Sequence, residues 1–347
     1  MVTIIYSDIF YKGHNPWFYH PERPERVKTA ITALREHDLV DKIIEPPKAD
    51  EEHLYLAHSR EYVSEIKRYR DHAPTLIDSD TYMARDSYDT CLYAVGASIS
   101  AAEMAYKSGE IVFAIVRPPG HHAGRNGRAF WAPTLGFCIF NNIAVATAKL
   151  LEDGVDEVVI IDFDLHHGNG TQDIFYGEPR VIHIDIHQDP TTIYPGTGFI
   201  TDYGRGEAEG TKINIPLPVG SGDDEYKLVI EEILIPILDD IKPKILLFSA
   251  GFDAYSGDGL GGIYATADTF YTLGLLPRRL GIKKVAAILE GGYSVGISRG
   301  APAFAAGLSG QYSPVKDLKK PSTGRASSRI RDVIEDVKKI LGKFYKF

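Results

Sequence analysis

Short apolar runs rich in β-branched residues recur along this chain, and they constrain its fold more than any other feature. They lack a clean alternation of apolar and polar residues, which is typical of strands covered on both faces. Amphipathic segments separate them. Strands that alternate with helices predict a single-domain open α/β fold, with helices on both sides of a mostly parallel sheet. The predicted strands cover residues 2–6, 111–116, 158–161, 181–186, 213–217, 245–248 and 285–289.

The helical segments are recognised by apolar residues at i, i+3 and i+4 spacing. The last one is the clearest, because its apolar residues keep this spacing from Ile330 to Phe344 after a candidate cap at Ser327 and Ser328. We find no repeat and no convincing interdomain linker, so one catalytic domain is predicted over residues 1–347, with residues 320–347 as a C-terminal helix. The other predicted helices cover residues 25–37, 87–106, 142–151, 224–238 and 269–280.

Composition narrows the function classes. A net charge of −9 argues against a general nucleic-acid binder, which is usually basic. The two cysteines, Cys91 and Cys138, show no pairing pattern, so we expect neither a disulfide scaffold nor a cysteine metal cage. The N-terminus lacks the pattern of a signal peptide, and no apolar run is long enough to span a bilayer. We therefore expect a cytoplasmic protein without nucleic-acid or membrane partners.

Polar side chains that bind metals or move protons follow several of the predicted strands. Ligands of open α/β sheets bind outside the carboxyl ends of the strands. We therefore expect these side chains to meet at one edge of the sheet and to form a site there. They are His121, His122, Asp162, Asp164, His166, His187, Asp253, Glu290 and Tyr293.

Asp164, His166 and Asp253 form a candidate metal site. Catalytic zinc commonly has three protein ligands and an open position for water, and two carboxylates with one histidine also suit ferrous iron. In an extended segment alternate residues share a face, so Asp162 is expected to point the same way as Asp164 and His166. Taken alone, a D-x-D at a strand end is more often a pair of solvated charges, and only the joint occurrence of these residues favours a metal.

The other polar residues can supply acid–base chemistry. The pair His121–His122 can transfer protons near neutral pH, and Asp162 and Asn169 are natural partners for the second ring nitrogens. Tyr293 follows two glycines and can donate a hydrogen bond to a developing oxyanion. A metal, a base and an oxyanion donor together predict hydrolysis of an amide. His167 and His187 are interpreted as structural histidines, and Cys138 as buried packing.

Six motifs resemble the histone deacetylase and acetylpolyamine amidohydrolase superfamily, and HPERPER (20–26) also fits it. The resemblance covers roughly residues 3–305. It implies the arginase-like open α/β fold with an eight-stranded parallel sheet, and a zinc-dependent deacylase that releases acetate from an N-acetylated amine. The motifs are RPPGHHA (117–123), GFCIFNN (136–142), DFDLHHGNGTQ (162–172), YPGTG (194–198), SAGFDAY (249–255) and EGGY (290–293).

The resemblance also implies roles for individual residues, with Asp164, His166 and Asp253 as the zinc ligands. His122 becomes the general base and acid, oriented by Asn169, where class I members have aspartate. His121 becomes the electrostatic partner of the water, oriented by Asp162, and Tyr293 polarises the substrate carbonyl. Members also bind potassium through Asp162, Asp164, His166 and the strand near Asp185. The implied substrate contacts are Gly136, Phe137, Tyr194 and, more weakly, Asp80 on a rim loop.

Several alternatives stay open at this point. The substrate is acetyllysine in a protein, an acetylpolyamine or another small acetylated metabolite. A two-manganese ureohydrolase on the same fold needs a further acidic ligand after Asp253, where Ala254 and Tyr255 stand. A non-catalytic acyl-lysine binding protein would not need Tyr293. Residues 124–135 are longer than in the family and are expected to form part of the tunnel rim or a contact between subunits of a homo-oligomer.

Overall fold

In the computed structural model, which describes residues 1–347, the centre of the molecule is one eight-stranded sheet. Every neighbouring pair of strands in this sheet is parallel. The strands, numbered along the chain, lie in the order β6-β5-β4-β7-β8-β3-β1-β2. Their bounds are β1 Val2–Ile5, β2 Val40–Ile44, β3 Ile111–Ala114, β4 Val158–Asp162, β5 Val181–Gln188, β6 Lys212–Leu217, β7 Leu246–Ala250 and β8 Val285–Leu289.

The central strands are covered on both faces. Every residue of β4, β7 and β8 is buried, as the absence of alternation predicts. One continuous apolar core extends from Val2 to Leu341. The predicted α/β fold with an eight-stranded, mostly parallel sheet is therefore confirmed.

Helices α5 (Ser87–Ser108) and α6 (Asn142–Glu152) pack together against the sheet, and α11 (Val295–Ser309) packs against β1, α2 (Glu25–Glu36) and α10 (Ala267–Arg279). Two short hairpins lie outside the sheet, Thr75–Leu76 with Tyr82–Met83 and Ala123–Gly124 with Gly127–Arg128. The helices are α1 Ile9–Lys12, α2 Glu25–Glu36, α3 Glu51–Leu54, α4 Arg60–Asp71, α5 Ser87–Ser108, α6 Asn142–Glu152, α7 Asn169–Phe175, α8 Asp223–Val229, α9 Ile235–Ile241, α10 Ala267–Arg279, α11 Val295–Ser309 and α12 Gly324–Leu341. A π-helical turn, Ile230–Leu234, joins α8 to α9, and a 3₁₀ turn covers Gly206–Ala208.

The C-terminal helix begins earlier than the candidate cap predicts. Thr323 is the N-cap, since its side chain accepts a hydrogen bond from the backbone N–H of Ala326, and Ser327 and Ser328 lie inside α12. The cap prediction was wrong because several hydroxyl residues stand side by side here, and any of them can cap. The apolar face of α12 packs against β6, the last strand at one side of the sheet, and against α8. The helix thus shields an edge strand.

None of the helices is long and apolar enough to cross a membrane.

Candidate active site

The parallel register brings the carboxyl ends of the central strands to one edge of the sheet. Asp162, the last residue of β4, is paired with Asp185 of β5 on one side and with Ser249 of β7 on the other. The segments that leave β3, β4, β7 and β8 supply the histidine pair, the D-x-D-x-H segment, Asp253 and Tyr293. The predicted gathering of polar residues at this edge is what the fold produces.

Asp164, His166 and Asp253 form a compact cluster just beyond this edge. One ligand atom from each lies within 4.8 Å of the other two, and all three residues are buried. Nδ1 of His166 is 3.2 Å from Oδ1 of Asp164 and 3.0 Å from Oδ2 of Asp253. The structure therefore brings together the three residues that the sequence indicates as a metal site.

Backbone amides hold both carboxylates of this cluster in place. The N–H of Leu165 donates to Oδ1 of Asp253 at 2.9 Å, and the N–H of Gly291 donates to Oδ2 of Asp164 at 2.8 Å. A Cβ at position 291 would overlap the Asp164 carboxylate and lie 2.7 Å from Oδ2 of Asp253. Only glycine allows this approach, so the EGGY motif shapes the cluster as well as carrying Tyr293.

The donor atoms and the buried negative charge of this cluster are suited to a bound cation. Oδ2 of Asp253 is fully buried, and although Nδ1 of His166 lies 3.0 Å away, the two groups are not aligned for a hydrogen bond. Burial and the neighbouring Asp164 raise the pKa of Asp253 to about 6. Two carboxylates held together away from water destabilise a protein unless a positive charge joins them. Carboxylate oxygens with one imidazole are a donor set suited to zinc or ferrous iron.

Asp162 lies outside the metal cluster, although both Asp162 and Asp164 lie beside His121. Strand β4 ends at Asp162, and the N–H of Asp164 turns back to donate to Oδ1 of Asp162 at 3.0 Å. The extended backbone that the expected alternation requires therefore ends at Asp162. Asp162 instead forms a second buried cluster with His183 and Asp185, whose ligand atoms lie within 4.8 Å of one another.

The two adjacent histidines have different partners. Nδ1 of His121 donates to Oδ2 of Asp162 at 2.9 Å, whereas Nδ1 of His122 donates to Oδ1 of Asn169 at 2.7 Å. Their ring centroids are 4.0 Å apart, and the His122 ring is 6.0 Å from that of His166. Because Nδ1 of His122 carries the donated hydrogen, its Nε2 is left as the atom that can accept a proton.

Burial lowers the pKa of both histidines, but their charged neighbours shift the two pKa values in opposite directions. For His121, the carboxylates of Asp162 and Asp164 outweigh burial and hold the pKa well above its usual value. For His122, His121 and His166 add to the effect of burial, and the pKa lies well below its usual value. Opposed pKa shifts in adjacent groups are typical of sites where one group stays charged and the other accepts a proton.

The long segment 124–135 reaches the acid–base pair. Nδ2 of Asn169 donates to the carbonyl oxygen of Ala129 at 3.1 Å, which fixes the orientation of the amide that holds His122. The carbonyl oxygen of Thr134 accepts a hydrogen bond from the Tyr194 hydroxyl at 3.0 Å. The segment therefore contacts both Tyr194 and Asn169, the partner of His122.

Aromatic rings surround the cluster. The Phe137 and Tyr293 rings meet edge to face at 5.5 Å, and the Tyr194 ring is 4.9 Å from that of His122. Gly136 has a φ of +54°, and a Cβ there would lie 2.5 Å from Cδ2 of His122 and 2.8 Å from the Tyr194 ring. Gly136, Phe137, Tyr194 and Tyr293 thus lie around the histidines and each other, and their contact with a substrate stays a prediction.

Asp80 is less free than a residue that grips a substrate backbone. Its carboxylate accepts hydrogen bonds from the hydroxyls of Thr134 and Thr81. The backbone carbonyl of Asp80 faces Nε2 of His20 at 3.0 Å. In this structure the side chain joins the rim loop to segment 124–135.

Two buried residues that support Tyr293 were missed. The Arg26 guanidinium lies 4.5 Å above the Tyr293 ring, and its Nε donates to the carbonyl oxygen of Gly292 at 2.7 Å. Asp258 accepts a hydrogen bond from the backbone N–H of Tyr293 at 2.7 Å. Arg26 stands in HPERPER, and Asp258 in a glycine-rich loop after Asp253, yet neither residue is within ten positions of Tyr293. Only the fold brings them together.

Comparisons with known proteins identify the relatives of this chain. The model of the histone deacetylase domain matches residues 20–308. A probable deacetylase of Archaeoglobus fulgidus is 36% identical, over 100% of this chain and 99% of its own length. An uncharacterized protein of Methanocaldococcus jannaschii is 43% identical, over 96% of this chain and 94% of its own length. The crystal structure of the HDA15 HD domain superposes with a TM-score of 0.88 at 29% identity, over 99% of this chain and 96% of that one. The chain belongs to the histone deacetylase family.

Proposed function

We propose that this protein is a zinc-dependent amidohydrolase that removes an acetyl group from an N-acetylated primary amine. One observation carries the proposal. Asp164, His166 and Asp253 place three ligand atoms within 4.8 Å in a buried site, and Oδ2 of Asp253 has no hydrogen-bond partner there. Zinc held by these residues supplies a Lewis acid, which lowers the pKa of water and polarises a carbonyl.

The chain's own residues account for the remaining steps. His122 accepts the proton of the attacking water at Nε2, because Asn169 keeps the hydrogen on Nδ1. His121, held by Asp162, presents a positive charge beside the reacting groups. The Tyr293 hydroxyl donates a hydrogen bond to the carbonyl oxygen as negative charge develops on it. As the C–N bond breaks, His122 gives the proton to the leaving amine, and the acetyl group leaves as acetic acid, which ionises to acetate.

The substrate must reach this site along a narrow aromatic approach. Phe137 and Tyr194 are half-buried and present neutral rings. Such walls accept the run of methylene groups next to the acetylated nitrogen in either acetyllysine or an acetylpolyamine, because that run is unbranched and apolar in both. The proposal therefore specifies an acetylated amine on a flexible chain, with the outer part of the molecule at the rim.

The second cluster supports a structural cation beside the active site. Burial raises the pKa of Asp162 to about 8. The neighbouring Asp185 adds to this shift, and His121 opposes it. Both ring nitrogens of the buried His183 lack a hydrogen-bond partner. A cation there would stabilise the charged form of Asp162 and so the orientation of His121. The family resemblance implies potassium beside Asp162, Asp164, His166 and the strand near Asp185, and we propose it there, held by oxygen atoms and not by the His183 ring.

A substrate panel tests the proposed function. Protein loaded with zinc is mixed with acetyllysine peptides, acetylputrescine, acetylspermidine and small acetylated metabolites, and acetate release is measured. We expect turnover of at least one of these classes. If no acetylated amine in the panel releases acetate, the protein is a binding protein and not an enzyme of this class.

Replacing Tyr293 with phenylalanine should lower kcat by about 100- to 1,000-fold, the usual cost of removing one oxyanion donor. The ring contacts with Phe137 and Arg26 do not need the hydroxyl, so we expect bound zinc and the melting temperature to be unchanged. Steady-state kinetics on the best substrate of the panel, with metal analysis of the same samples, measure both quantities. Wild-type turnover in the Tyr293→Phe protein would remove this hydroxyl from the mechanism.

A further inference from the structure

The loop that supplies Asp253 also holds the loop that carries Tyr293. Asp258 lies five positions after Asp253, and the residue is 6% exposed. It accepts three backbone hydrogen bonds, from the N–H groups of Tyr293 at 2.7 Å, Ser294 at 2.9 Å and Gly296 at 2.8 Å. Hydrogen bonds from backbone amides to a carboxylate are among the strongest in proteins.

These three amides lie where β8 ends and α11 begins. The N-cap of α11, Ser294, makes no side-chain cap hydrogen bond. The first N–H groups of a helix have no partner within the helix, and a nearby negative charge stabilises them. Asp258, which lies on another loop, therefore takes the role of an N-cap side chain for α11. It also accepts a hydrogen bond from the backbone N–H of Tyr293.

The Tyr293 side chain is held separately. Arg26 lies over one face of the ring, and Phe137 meets the ring edge to face. These contacts fix the plane of the ring. The distance of the ring from the metal cluster depends instead on the position of the Tyr293 backbone. Asp258, on the loop that follows Asp253, accepts hydrogen bonds from that backbone.

The same loop is joined to the cluster itself. Oδ1 of Asp253 accepts from the N–H of Leu165, and the N–H of Phe252 donates to the carbonyl oxygen of Gly291 at 3.2 Å. Residues 252–258 thus contact the metal ligands at one end and the Tyr293 backbone at the other. A shift of the loop would change the distance between the cluster and the Tyr293 hydroxyl.

We propose that Asp258 is a positioning residue that sets the distance of the Tyr293 hydroxyl from the metal cluster. The inference rests on the proposed function, since it assigns Asp258 an effect through the oxyanion donor. A displacement of about 1 Å in a reacting group costs on the order of 100-fold in rate. Asp258→Asn keeps the shape but turns an N–H group toward a backbone N–H, so at least one of the three hydrogen bonds is lost.

A double-mutant cycle on the zinc-loaded, full-length protein tests this inference. Wild type, Asp258→Asn, Tyr293→Phe and the double variant are compared in kcat, KM and zinc content. We expect Asp258→Asn to lower kcat by about 10- to 100-fold, with KM and zinc content little changed. In the Tyr293→Phe background, the same substitution should cost less than about threefold, because the donor that it positions is already absent.

Asp223→Asn is the matched control. Asp223 also joins a helix N-terminus from another segment, since it accepts hydrogen bonds from the backbone N–H of Thr266 at 2.8 Å and from the hydroxyl of Thr269 at 2.6 Å. These contacts are at α10 and away from Tyr293. We expect Asp223→Asn to lower the melting temperature but to leave kcat within about twofold of wild type.

The outcomes separate the two ideas. An equal loss of kcat from Asp258→Asn in both backgrounds would show a purely structural role and overturn the inference. Full turnover of Tyr293→Phe would instead refute the role of Tyr293 in the proposed function. If Asp258→Asn does not fold, Asp258→Glu, which keeps both carboxylate oxygens on a longer side chain, is taken through the same cycle with the same criterion.

Discussion

Replacing Asp253 with asparagine should abolish zinc binding at stoichiometric concentrations and reduce turnover to background. The amide oxygen can still accept the hydrogen bond from the N–H of Leu165, so the loop keeps its anchor. What changes is the oxygen without a partner, which becomes an NH₂ group that cannot bind a cation. Removing a residue that hydrogen-bonds to a metal ligand typically lowers the metal affinity by about 10- to 100-fold. Removing a ligand itself should therefore lower the affinity by more than about 100-fold.

Zinc content after dialysis, and acetate release from the same samples, measure this effect. Asp156→Asn is the control, since it removes one negative charge from an exposed position that is paired with Lys244. The metal-free Asp253→Asn protein should melt no lower than metal-free wild type, because it no longer buries two carboxylates together. Stoichiometric zinc and normal turnover in this variant would place the metal elsewhere.

Removing the imidazole of His122 should lower kcat by about 1,000-fold or more, within the range for loss of a general base. The Asn169 amide oxygen can only accept a hydrogen bond, so the hydrogen of the neutral His122 ring is on Nδ1. Nε2 of His122 is therefore free to accept a proton. His121 is held by a carboxylate that favours the positively charged ring. We therefore expect His121→Ala to be at least about tenfold less damaging than His122→Ala.

Single-turnover rates across neutral pH, with zinc content measured for each variant, test this order. Neither histidine belongs to the Asp164–His166–Asp253 cluster, so both variants should retain the metal. If His121→Ala proves to be the more damaging substitution, the roles of the two histidines are exchanged and His121 is the base.

Much of the fold follows from the sequence, and the failures have physical causes. Strand β8 was predicted with its observed bounds, because a fully buried strand is a short apolar run between polar segments. Strand β2 was missed among the runs because its sequence, VDKII, is partly exposed at the side of the sheet. Helix α11 was also missed. It is buried around most of its circumference and contains glycine and Pro302, so it has no clear polar face.

The metal cluster was predicted because its members are rare residue types placed directly after strands. His121, His122 and Asn169 followed from the same logic, and the structure joins His122 to Asn169. The sequence did not show that the strand ends at Asp162, nor that Asp162 joins His183 and Asp185 in a second cluster, because both depend on the neighbouring strand. Arg26 and Asp258 could not be found, since their effect on Tyr293 depends on contacts between distant segments.

Zinc titration into chelator-treated protein, monitored by acetate release, is the most direct test of the central claim. If a single cation held by Asp164, His166 and Asp253 supports amide hydrolysis, activity should be absent without metal and should rise to a plateau at one zinc per chain. Acetate release by the metal-free protein, or a plateau at two metal ions per chain, would contradict this account.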